Sequence, residues 1–204
     1  MTVRVVTEPS AEPLTLTEVK RHLVVDSDFT TDDTYITALI PVARRYAENY
    51  TRRAFVQRTL ELILPNFSGY EIYLPQPPLQ SITSIKYLDL DGVLQTIAAS
   101  EYQVDIYREP GRVKPAYLES WPTVVRGDYN AVQIRYIAGY QPSGSPNSDA
   151  DYAANIPDTL KQWMQVRIAQ MYELRVPIVT GTIVATLPRD FVDGLLDELV
   201  VDLF

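Results

Sequence analysis

A single histidine, His22, and a scatter of carboxylates are the residues of this 204-residue chain whose types could do acid–base chemistry. A Ser-His-acid triad would have to use His22. No Gly-x-Ser-x-Gly turn is present to hold an exposed nucleophile. Zinc needs three or four Cys, His or carboxylate ligands at suitable spacing, and one His with no Cys does not supply them. Asp89-Leu90-Asp91-Gly92 resembles the opening of a calcium loop, but such a loop places a Glu six residues after its Gly, where this chain has Ala98. Glu101, Asp105 and Glu109 could be set against a glycosidic bond as a carboxylate pair, although scattered acids on solvated strand faces account for them as well. No glycine-rich phosphate loop occurs. These residues predict a protein that is not an enzyme and needs no cofactor or metal.

The elements that would position any site divide into helical ends and a strand-rich middle. Thr15 and Glu18 have the spacing of a capping box and open a short first helix. Thr31-Asp32-Asp33 starts a second, with Thr31 as the expected cap. Ile36, Leu39, Ile40, Ala43, Ala47 and Tyr50 then fall on one face, with Arg44, Arg45, Glu48 and Arg52 elsewhere. Pro41 inside this pattern predicts a kink or break.

Beyond Arg53 the period becomes two. Strands are expected at 59–64, 71–74, 84–88, 93–97, 102–107, 112–117 and 131–137, with Asp91-Gly92 as a hairpin turn. Residues 139–154, rich in Pro, Gly and Ser, read as an exposed linker. Leu160, Trp163, Met164, Ile168, Met171 and Tyr172 form the stripe of a further helix ending near Arg175. Ile178 to Leu187 is apolar and β-branched, a loop or a strand supplied to a neighbouring chain, and a last helix is expected from Pro188 nearly to Phe204.

The fold class expected is therefore α+β. Residues 1–55 and 155–204 form a small helical bundle, and residues 56–138 form an inserted antiparallel β-sandwich or barrel-like domain. With 46% hydrophobic residues the chain can bury a core, and without Cys it does so without disulfides. No apolar run is long enough to span a membrane, and the start of the chain shows no signal-like apolar region.

Net charge is -8. Residues 139–204 contain 4 basic and 9 acidic residues and so supply -5 of it. Such a chain is poorly suited to gripping nucleic acid, which draws on clustered Lys and Arg, but it can surround DNA without holding it. Arg44, Arg45, Arg52, Arg53 and Arg58 could contact phosphate, pair with acids on another subunit, or line a solvated helix face. Asp190, Asp193 and Asp197 recur along the last helix, opposite an apolar side that includes Leu196 and Leu199. The 14 Tyr residues add interface character.

Several phrases carry a family resemblance. Leu14 to Leu23 and Asp32-Asp33 leading through Leu39-Ile40 to Ala47-Glu48-Asn49-Tyr50-Thr51-Arg52-Arg53-Ala54 resemble the head-to-tail connector (adaptor) proteins of tailed phages. Tyr73 to Ile82, Tyr102-Gln103-Val104-Asp105, Arg108 to Val113, and Ile137-Ala138-Gly139-Tyr140 with Ile156-Pro157 resemble the subfamily with a long strand-rich insertion.

The resemblance implies a structural virion protein of the head-tail junction, assembled in the host cytoplasm. It implies a homo-oligomeric ring, typically of twelve subunits, between the portal and the next neck, stopper or tail protein, with DNA passing through the lumen without specific binding. It makes Pro188 to Phe204 the expected portal-docking segment, with Asp190, Asp193, Asp197, Leu196, Leu199 and Phe204 as docking or lumen residues. Arg44, Arg45, Arg52, Arg53, Ile178, Val179 and Ile183 become candidates for contacts between subunits. The rival readings are another virion assembly protein, for tail completion or capsid decoration, and a carbohydrate-binding or carbohydrate-acting protein.

Overall fold

The computed structural model describes residues 2–67, 69–123, 126–142, 155–174 and 193–201. The chain forms two compact units, one from residues 1–10 with 57–141 and the other from 11–56 with 142–204.

Among the described residues the first unit has eight strands: β1 (Thr2–Thr7), β2 (Arg58–Leu64), β3 (Ile72–Leu74), β4 (Leu79–Leu88), β5 (Leu94–Ile97), β6 (Tyr102–Asp105), β7 (Gly111–Pro115) and β8 (Val132–Ala138). All pairings are antiparallel. They make a five-stranded sheet in the order β1-β2-β8-β4-β5 and a three-stranded sheet in the order β3-β7-β6. The expected sandwich-like architecture is present, as two open sheets rather than a closed barrel.

Alternation does what the sequence requires. In register, Leu60 faces Tyr136, Leu62 faces Ile134, and Leu64 faces Val132. These side chains are buried, as are Ile85, Ile72, Leu74 and Val113. Gly111 in β7 marks a close approach between the sheets: a Cβ there would lie 2.6 Å from the Leu79 side chain of β4, which no side chain permits. Tyr136 is fully buried and donates its hydroxyl hydrogen to the Pro75 carbonyl at 2.9 Å.

Strand β1 corrects the assignment of residues 1–10 to the helical part, since it pairs with β2 along the sheet edge. The alternation Val3-Arg4-Val5 is too short at a chain end to declare itself as a strand without its partner. Gly139 also differs from the expected linker. Its amide donates to the Pro78 carbonyl at 2.9 Å and its carbonyl accepts from Gln80 at 2.8 Å, so the sheet extends its hold past β8. The rest of that linker, residues 143–154, lies outside the described residues.

The second unit contains α1 (Leu16–His22), α2 (Asp33–Thr51), α3 (Asp158–Glu173) and α4 (Gly194–Asp197). The capping box forms as read: Glu18 N–H donates to Thr15 Oγ1 at 3.2 Å, and Thr15 N–H donates to Glu18 Oε2 at 2.7 Å. At α2 the N-cap is Asp32 rather than Thr31, and its carboxylate accepts from the Tyr172 hydroxyl at 2.6 Å. Pro41 does not break α2, which runs unbroken through it. The flanking Ile40 and Ala43 are buried, so packing holds the turn that a proline would weaken in an isolated helix.

The core of this unit gathers Leu14, Val19, Ile36, Ile40, Ala47, Leu160, Trp163, Met164, Ile168 and Leu196. The expected last helix is shorter within the described residues. Helix α4 stops at Asp197, and Val201 N–H turns aside to donate to the Thr51 carbonyl at 2.9 Å.

Candidate assembly surfaces

The end of α2 is a junction built from its own residues. Arg52 takes a left-handed conformation (φ 59°) and ends the helix. The chain then folds back, so that Phe55 N–H donates to Glu48 Oε1 at 3.1 Å. Glu48 Oε2 accepts from Arg44 at 2.8 Å, and Arg44 is also held by both oxygens of Glu12, at 2.7 and 3.1 Å. Arg44 and Glu48 are buried, which corrects their placement on the polar side of the helix: the guanidinium enters the core because two carboxylates satisfy it there.

Arg53 donates to the Leu199 carbonyl at 2.6 Å. Of the sequence-predicted arginines, Arg45 on α2 and Arg52 just past its end remain exposed. Arg45 stands with Val42 and Tyr46, both exposed apolar residues. Tyr46 stacks on Trp163 with ring centroids 5.5 Å apart, and the Arg167 guanidinium lies 5.2 Å from the Tyr46 ring centroid. This surface is apolar at Val42 and Tyr46, with Arg45 next to them on α2 and Arg167 over the Tyr46 ring; sequence reading named Arg45 but missed Val42, Tyr46 and Arg167. Spacing holds the signal: Val42, Arg45, Asn49 and Arg52 recur at helical intervals.

Two acidic residues of the last segment accept hydrogen bonds within the unit. Asp193 accepts from the Trp163 indole N–H at 3.3 Å, and Asp197 accepts from the Tyr50 hydroxyl at 2.8 Å. Leu196 and Leu199 are buried within the unit, so neither presents its side chain to a partner in this structure. Asp190, Phe204, Ile178, Val179 and Ile183 lie outside the described residues.

Of the residues weighed for chemistry, Asp105 and Asp89 are taken up in contacts within the strand unit. Asp105 is tied to Arg112 at 3.1 Å, and Arg112 also holds Glu71 at 2.8 Å; these ion pairs span the outer face of the three-stranded sheet. The hydrogen bond from Arg112 holds the Asp105 carboxyl below the ordinary aspartate range. On the five-stranded sheet the arrangement is reversed: Glu61, almost wholly buried, is shared by Arg4 at 2.7 Å and Arg135 at 2.9 Å. Asp89 closes the β4–β5 turn by accepting from the Asp91 and Val93 amides at 3.1 and 2.8 Å and from Gln95 at 2.7 Å. The hydrogen bond from Gln95 is the largest cause of its lowered pKa. It is a hairpin residue, as its position beside Gly92 (φ +80°) requires. Among the described residues no group of three or more His, Asp or Glu could hold a metal ion, and no helix is long and apolar enough to cross a membrane.

Comparison with known proteins places this architecture. The chain is similar in fold, over 100% of its length and 98% of theirs, to chains from the neck of an empty GTA particle computed with C6 symmetry (23% identity, TM-score 0.75) and from the virion of a native gene transfer agent (GTA) particle (22% identity, TM-score 0.76). A chain from the neck of a native GTA particle computed with C12 symmetry is similar over the same extents (22% identity, TM-score 0.71). No curated protein matches the chain. Residues 13–103, from the segment before α1 to the start of β6, match the phage gp6-like head-tail connector protein family, and the resemblance carried by the sequence phrases is thereby borne out.

Proposed function

We propose that this chain is a structural adaptor of a tailed-phage-like particle, a ring of twelve copies between the portal and the next neck or tail protein, with DNA passing through its lumen. The observation that carries the reading is the agreement of a connector-family match over residues 13–103 with a fold shared along the whole chain with particle-neck proteins. The C6 and C12 symmetries of two of those necks support a ring. The chemistry of the chain supports a structural role: its ion pairs, Arg44 with Glu12 and Glu48, and Glu61 with Arg4 and Arg135, are spent on holding its own elements.

In this reading residues 188–204 dock on the portal, held at their inner end by α2 through Tyr50, Thr51 and Arg53. Neighbouring subunits meet through the exposed side of α2 that carries Arg45 and Arg52, with Ile178, Val179 and Ile183 contributing from the segment beyond α3. An excess of 26 acidic over 18 basic residues lets DNA slide past without being gripped.

The test is mass measurement and electron-microscope imaging of the purified protein alone and mixed with portal rings from its own source. A stacked ring with one central channel is the expected result. Absence of association with portal across low and moderate salt sinks the reading in favour of another virion role.

A further inference from the structure

The strand unit carries an exposed surface that its own core does not need. At the β4–β5 turn, Leu90 and Val93 are 65% and 54% exposed, and Leu94 is exposed beside them. Tyr129 is 93% exposed on the segment that runs against the same turn, where Arg126 N–H donates to the Leu88 carbonyl at 3.1 Å. All of these lie at the Leu64–Leu88–Val132 end of the five-stranded sheet, opposite the end formed by Thr7, Arg58 and Ala138. An apolar group of this size in a turn region, where Gly, Asn and Ser would serve solubility better, marks a contact surface.

Its border is acidic. Asp128 is paired with Arg126 at 2.8 Å, which leaves Asp89 and Asp91 to set the sign of the turn. The surface described on α2 and α3 has the opposite border around the same kind of centre: Val42 and Tyr46 exposed, with Arg45 and Arg167 beside them. One chain thus holds both halves of a complementary pair, apolar with carboxylates and apolar with guanidiniums.

We propose that the β4–β5 turn of one copy of this chain docks on the α2–α3 surface of a second copy. Leu90 and Val93 pack against Val42 and Tyr46, and Asp89 and Asp91 meet Arg45 and Arg167. The two surfaces differ, so the contact is head-to-tail. Repeated with rotation it closes a ring instead of stopping at a dimer. Apolar anchors supply the affinity, and the charges select the register. This inference rests on the ring reading above and names the contact that would build the ring.

The absence of Cys from the chain makes the test direct. A Val42→Cys/Val93→Cys variant, both positions exposed, is assembled with portal rings and oxidised, and its products are separated without reductant. The expected result is a ladder extending well beyond dimer, absent from either single-Cys variant, with melting temperatures unchanged. Asp91→Arg in that background should weaken the ladder about tenfold, and Arg45→Glu added to it should restore most of the yield. Rings visible by microscopy without a ladder, or a link formed only within one chain, overturn this contact and leave the ring reading standing. A Val93→Cys single variant that dimerises as well as the double overturns it too, because the surface would then be self-pairing. If no ring forms on the portal, the ring reading fails and this contact fails with it.

Discussion

Tyr50 donates its hydroxyl hydrogen to Asp197 across 2.8 Å, and this bond joins the last turn of α2 to the short helix α4. Two further hydrogen bonds lie at the same place. Val201 N–H reaches the Thr51 carbonyl, and Arg53 reaches the Leu199 carbonyl. The C-terminal segment is therefore positioned by the residues that end α2, including the left-handed Arg52 between them.

Tyr50→Phe should cost only about 0.5–1 kcal/mol, because an exposed hydroxyl-carboxylate bond is exchanged for bonds to water. Combined with Arg53→Ala, its larger effect is local. Amide hydrogen exchange at Leu199 and Val201 should quicken while exchange in α2 does not, since the segment loses two of the hydrogen bonds that tie it to the end of α2. Equal quickening throughout α2 would argue against this arrangement.

Glu48→Ala should destabilise the helical unit by about 3–5 kcal/mol, as it leaves the buried Arg44 guanidinium with Glu12 alone and the Phe55 amide without its carboxylate acceptor. Urea unfolding followed by tryptophan fluorescence reads the loss through Trp163. A cost below about 1 kcal/mol would place Glu48 on the surface, as sequence periodicity suggests.

Trp163→Ala should cost about 3–5 kcal/mol, since the indole is fully buried and stacked by Tyr46. The same substitution removes the donor to Asp193 and the platform that sets Tyr46 beneath Arg167. Association between copies should therefore fall even at temperatures where the variant is folded. Sedimentation on portal rings separates the two effects.

The strand unit should lose stability at both ends of the pH scale. The Asp89 and Asp105 carboxyls are held below the ordinary 3.8, chiefly by the hydrogen bonds from Gln95 and Arg112. Their contribution is complete above that value and disappears as pH falls through their lowered folded values. Asp89→Asn with Asp105→Asn should flatten the acid limb of a stability-pH curve.

Burial raises the pKa of the Tyr136 hydroxyl above the ordinary 10.0, so its contribution is complete below pH 10 and declines as pH rises beyond it. Tyr136→Phe should remove that alkaline decline. A variant that keeps the full decline would place its cause elsewhere.

Local signals specified much of this protein. Thr15 and Glu18 fixed the start of α1, because a capping box is a matter of three residues' spacing. Asp89 to Gly92 fixed the hairpin, because the turn needs a residue tolerant of positive φ. The alternation in 59–64 and 131–137 determined which side chains face the core, and the stripe from Leu160 to Ile168 determined the inward face of α3. The family phrases were legible for the same reason, since each is a local run.

Tertiary structure decided what depends on partners distant in the chain. Val3 to Val6 became a strand only because β2 offered an edge to pair with. Arg44 and Glu48 went inward because Glu12 and the Phe55 amide, far apart in sequence, met them there. Pro41 was tolerated because the packed core held its helix. Asp193 and Asp197 accept from Trp163 and Tyr50, and Leu196 and Leu199 are buried, where spacing by itself read only an acidic stripe opposite an apolar side. Periodicity gives the sides of an element, but which side is covered depends on what the rest of the chain brings to it.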